Sequence, residues 1–257
     1  IRLEILILML IKVIAMSIIY MVAYDVKSIL KSYLTYISLA FIIFLTFTFV
    51  ISLNSGDNTV NGNQILRLSA WTLSFVGILF IVKTLVRDFS QGTIQKYLNT
   101  KNNRLKYFIS KCISILLLYF FFSIIISLFT YFCKIYVHAS SIHTEDWIKF
   151  LIILFLFFIV FSLILFFITL LSDNAAIVFS FTIFTILIIP MLLNFIPLLP
   201  KYGEKIMNFI NYFPITFLPL KLYQGDFSLE IEQILSSLFF VFIFLAIDSY
   251  YIIKKNT

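Results

Sequence analysis

Few residues in this chain are of the kinds that do chemistry, and their spacing denies them most of it. The six glycines (Gly56, Gly62, Gly77, Gly92, Gly203 and Gly225) include no G-x-x-x-x-G-K-[ST] run, so the sequence offers no loop to cradle nucleotide phosphates. Both histidines, His138 and His143, share one polar stretch with Glu145 and Asp146. That stretch could hold a surface metal, but a solvated loop explains it more simply. With no histidine inside an apolar run, a Ser–His dyad, an H-E-x-x-H site and an axial haem pair are all missing from the apolar segments. Cys112 and Cys133 would sit about 30 Å apart on a helix, too far to pair, and read as small apolar fillers. The one carboxylate well inside an apolar run is Asp248, where an ionisable group is a functional hypothesis by default. It could pair with Lys83 or a partner chain near the interface, or relay protons. The expectation is a chain that is not an enzyme, with no cofactor or metal of its own.

The elements that must position these residues follow from composition. Of 257 residues, 62% are hydrophobic and 12% charged, with a mean hydropathy of +1.08. Soluble domains are roughly 45–50% apolar and about 25% charged, so this is an all-α integral membrane protein, not a nucleic-acid binder, despite a net charge of +7. Six apolar runs are long enough to cross: 33–53, 68–86, 112–133, 150–171, 174–196 and 233–253. With both ends of this set on one side, that side collects eleven basic residues (among them Lys27, Lys31, Arg87, Lys96, Arg104 and Lys111) against Asp25, Asp88 and Asp173. The other side carries six basic and seven acidic residues, so the first side is cytoplasmic, in a plasma-membrane protein with its C-terminus inside. Trp71 and Trp147 open two spans on the outer side, where an indole suits the headgroup zone.

Residues 24–33 alternate polar and apolar at helical spacing and read as an interfacial elbow helix. Residues 1–23 form an apolar leader carrying Arg2, Glu4 and Lys12: either a seventh span or, if the natural product begins near Met21, a segment without a role. The single six-span domain is then 24–257.

All five prolines fall between Pro190 and Pro219. Around Pro197, Pro200, Pro214 and Pro219, the pieces 206–213 and 215–223 are too short to span and suit shallow re-entrant or interfacial helices before the last span. The cytoplasmic loop 83–111 is long and basic. Asp88 or Ser90 can cap a short helix running to Leu98, and Asn102 or Asn103 can cap the next. Ile94, Tyr97 and Leu98 could fill a groove on a cytoplasmic partner, with Gln95 and Lys96 setting register; the loop could equally lie on anionic membrane lipid.

The pattern Asp88, Gly92-Thr93, Leu98, Arg104, Tyr107, Lys111 resembles the coupling-helix region of type-2 ABC exporter permeases. The elbow, six spans with both ends inside, the tight turn at Ser172-Asp173 and short outer helices are also similar to that family. Two departures are an Asp where Glu is commoner and Lys101-Asn-Asn where a proline often precedes the arginine. The small size and Lys/Ile-rich composition resemble Gram-positive peptide exporters, such as the phenol-soluble-modulin exporter and bacteriocin-immunity permeases. The resemblance implies that Asp88, Gly92, Thr93, Ile94, Lys96, Tyr97, Leu98 and Arg104 meet an ATP-binding cassette subunit that binds ATP and Mg. It further implies a second permease copy or related chain and an amphipathic or hydrophobic peptide substrate. Stripes of Ser38, Thr46 and Thr48, of Ser123 and Ser127, and of Ser180, Thr182 and Thr185 call for a facing surface. The rival is an ATP-independent secondary transporter or channel.

Topology is testable directly. Single cysteines at Lys101 and Thr257 should be shielded from impermeant thiol reagents in intact cells, and those at Asn58, His143 and Glu204 should label; labelling of position 101 from outside inverts the reading.

Overall fold

The computed structural model describes residues 2–54, 60–90, 100–172, 174–198 and 203–254, and no strand occurs among them. Helix α1 (Arg2–Leu30) precedes α2 (Tyr33–Asn54), α3 (Gly62–Ser90), α4 (Lys101–Tyr136) and α5 (Thr144–Leu171). A broken span follows, made of α6 (Ala175–Ile183), a π-helical turn (Phe184–Ile188) and α7 (Ile189–Leu193); α8 (Gly203–Ile210) and α9 (Pro214–Gln224) are short, and α10 (Ile231–Lys254) closes the bundle. Six of these segments are long and apolar enough to cross a membrane, as the apolar runs require.

Three expectations need correction. Residues 24–33 do not form a separate elbow: α1 runs unbroken across position 23 to Leu30, and Val22, Asp25 and Ile29 form one buried face. Asp25 thus points into the bundle, because cations on α3 and α4 receive it there. Asp88 does not cap a new helix, since α3 continues through it to Ser90, and the short helix expected up to Leu98 lies outside the described residues. The cap of α4 is Thr100, in extended backbone, whose side chain accepts the Asn103 N–H at 3.3 Å in place of either asparagine. Several hydroxyls of the expected stripes also bond within the chain: Ser38 to Thr35 O, Thr46 to Ile42 O and Thr72, Thr48 to Leu45 O, Ser123 to Phe120 O, Thr182 to Val178 O and Thr185 to Phe181 O. Back-bonding to the preceding turn satisfies a lone hydroxyl without a partner.

The prolines account for the irregular region. Pro190 has no N–H for the carbonyl of Ile186, and the ladder widens into the π turn immediately before it. Pro214 occupies the first turn of α9, where its fixed φ fits, Pro219 lies buried inside that helix, and Pro197 sits in a 3-10 turn; Pro200 lies outside the described residues. Gly225 ends α9 at φ +72°, its N–H bonded to Lys221 O, in a conformation that favours glycine.

The core lies where α3, α4 and α5 meet. A Cβ on Gly77 would come within 2.4 Å of Phe158 Cζ and 3.1 Å of Phe122 Cγ, so the missing side chain lets aromatic rings lie on the α3 backbone. Phe122 in turn meets Phe80 edge-on at 5.5 Å and Phe158 at 6.0 Å. Gly77→Ala should therefore cost about 1–3 kcal/mol through displaced rings, despite its better helix propensity, and lower the unfolding temperature in detergent; a stabilised variant contradicts this packing.

Candidate functional site

The chain turns charge inward at one end of the bundle. Arg87 Nη2 contacts Asp25 Oδ1 at 2.8 Å and Asp88 Oδ1 at 2.7 Å, and Arg87 Nε donates to Asp88 Oδ1 at 2.9 Å. Lys111 Nζ donates to both Asp25 oxygens at 2.8 Å and meets Asp88 Oδ2 at 2.5 Å. Ser114 Oγ donates to Asp25 Oδ2 at 2.9 Å, and Tyr107 Oη to Asp88 Oδ2 at 3.1 Å. Asp25, Asp88 and Lys111 are only 2%, 5% and 3% exposed. The Arg87 guanidinium also lies over the Tyr24 ring at 4.7 Å.

Sequence geometry places these groups together. Tyr107, Lys111 and Ser114 recur at i, i+4 and i+7, one face of α4, while Arg87 and Asp88 occupy the last turns of α3 and Asp25 the last turns of α1. Two carboxylates and two cations balance, and each carboxylate is bridged by both cations. Such multiple charge-assisted bonds are what a buried ion group needs to offset desolvation. Every polar head engages another, so the arrangement is a clamp across α1, α3 and α4 and offers no free nucleophile or base. Lys83 adds a lighter tie, donating to Ser32 and to Thr35 Oγ1, which holds the α1–α2 turn against α3.

Of the expected partner-facing residues, Asp88 is turned inward into this cluster. Arg104 Nη1 donates to Ile253 O at 2.7 Å, binding the start of α4 to the last carbonyls of α10. Gly92, Thr93, Ile94, Lys96, Tyr97 and Leu98 lie outside the described residues. Tyr107 and Lys111 belonged to the sequence motif; the roles of Asp25 and Arg87 were missed. The available signal was a lone carboxylate, Asp25, on the same helical face as apolar Val22 and Ile29, with a basic residue at the foot of α4 to meet it.

Asp248 does not meet Lys83. It is fully buried, and neither carboxylate oxygen has a hydrogen-bond partner among the described residues. One turn earlier, Leu245 lines a cavity of about 170 Å³ that also touches Cys112 and Ser162. Among the described residues no three His, Cys, Asp or Glu side chains gather as metal ligands. No family model matches the chain, and no curated protein matches it.

Lys111→Met leaves two buried carboxylates facing one cation and should lower stability by about 3–5 kcal/mol, read by heating in detergent. Asp25→Asn combined with Lys111→Met leaves a neutral Arg87–Asp88 pair and should recover most of that loss; a double variant as unstable as the summed singles contradicts mutual pairing.

Proposed function

We propose that this chain is the membrane-spanning permease subunit of an ATP-driven exporter that moves amphipathic or hydrophobic peptides out of the cell. The observation that carries this reading is mechanical. Residues 91–99 connect α3 to α4 in sequence, and the bases of these two helices are joined by buried ion pairs to each other and to α1, while Arg104 ties α4 to α10. A push on the loop by an ATP-binding cassette subunit would thus be delivered to four helices together. The lysine and arginine excess at this same end supports a cytoplasmic position in the plasma membrane. ATP and Mg belong to the partner subunit. Six spans without an internal repeat supply one half of a pathway, which supports pairing with a second copy or a related chain. The phenylalanine-rich spans carry scattered hydroxyls, which suits a substrate with one apolar and one polar face.

One observation favours the ATP-independent reading: Asp248, buried and without a hydrogen-bond partner among the described residues, is the kind of group that proton- or ion-driven carriers use. The two readings separate in proteoliposomes. Tyr97→Asp and Leu98→Asp should abolish ATP-dependent peptide export while the protein still inserts, and Asp248→Asn should leave it largely intact. Full export by the loop variants, with loss only in Asp248→Asn, favours the carrier.

A further inference from the structure

At the end of the bundle away from the ion cluster, a crevice of about 410 Å³ opens between α2, α3, α7 and α9. Its walls are apolar, built from Phe49, Leu53, Leu68 and Met191, with Arg67 and Trp71 along one side. Arg67 is held in place from three directions. Its Nε donates to Tyr223 O at 2.8 Å, its guanidinium lies 5.9 Å from the Tyr223 ring centre, and its stem packs on Gly225, where a Cβ would come within 2.6 Å. So fixed, the exposed guanidinium has no carboxylate within 4 Å among the described residues. Asp226, which follows Gly225 in the chain, is engaged by Lys221 and Ser228; although burial opposes its ionisation, those bonds hold its carboxyl below the usual range. Beside Arg67, the Trp71 Nε1–H is buried and meets no acceptor among the described residues.

We propose that this crevice binds an anionic phospholipid, with the phosphate on Arg67 and one acyl chain along Phe49, Leu53, Leu68 and Met191. A fixed cation without a counter-ion asks for an anion, and an indole N–H without an acceptor asks for an ester or phosphate oxygen. The apolar wall asks for a chain. Phe49 and Met191 are 54% and 50% exposed on spanning helices, so the crevice opens sideways towards hydrocarbon, where a lipid already stands and a dissolved peptide does not. Charge and depth also agree: an arginine and a tryptophan at the end of a span sit at headgroup level. The inference is independent of whether the chain exports peptides.

The two tryptophans make the site readable. Trp147→Phe leaves Trp71 as the only indole, and its fluorescence is followed in phosphatidylcholine vesicles containing either brominated phosphatidylglycerol or brominated phosphatidylcholine. The expected result is a preference of about fivefold for the glycerol lipid, the factor one basic residue confers at an anionic surface, weakening as salt rises. Arg67→Gln should abolish the preference and Arg67→Lys retain it in part. Should Arg67→Gln fail to fold, the salt dependence of Trp147→Phe decides. Equal quenching by both lipids, a preference insensitive to salt, or displacement by an amphipathic peptide acid without any lipid preference overturns the proposal.

Discussion

Charge removed from water at one end of the bundle constrains everything that surrounds it. A buried carboxylate with no cation is costly, so Asp25 can stay inside only while Lys111 and Arg87 remain beside it, and the same holds in reverse. That mutual need fixes the rotation of α1, the depth of α3 and the register of α4 relative to one another. Apolar packing alone would not, because helices in lipid gain little from greasy contact and can slide. The ring stack on Gly77 then fills the space that this registration creates.

Such a clamp suits a protein that must move as linked pieces. α3, α4 and α1 share the ion pairs and the end of α10 is bonded to Arg104, whereas the fifth span is interrupted by a π turn and followed by short proline-bearing helices. Rigid linkage therefore lies at the basic end and backbone irregularity lies in the fifth span and the segment beyond it. Under the exporter proposal, force would enter where the helices are tied, and rearrangement would occur where hydrogen-bond ladders are already broken.

The fold was readable where physics repeats itself. Runs of about 20 apolar residues can only be helices in a bilayer, so the spans emerged with boundaries that grew only where polar stems such as 101–111 extended the helix. The proline cluster announced the broken segment for the same reason. The clamp was only partly readable, because pairing between residues 25, 87, 88 and 111 is a tertiary fact that no local period encodes. Amphipathic spacing placed Asp25 on a solvated face, whereas Lys111 and Arg87 supply a better solvent. Lys83 and Asp248 misled in the opposite sense: their charges suggested a pair, but Ser32 and Thr35 satisfy the lysine. The crevice at Arg67 needed Tyr223 and Gly225, more than 150 positions away, to become visible.

Hydrogen–deuterium exchange on the intact protein tests the clamp most directly, comparing wild type with Lys111→Met under native conditions. If the ion cluster holds three helices as one unit, removing the α4 cation loosens the ends of α1 around Asp25 and of α3 around Arg87 together, while the α9–α10 junction keeps its protection. Faster exchange confined to α4 alone would contradict it.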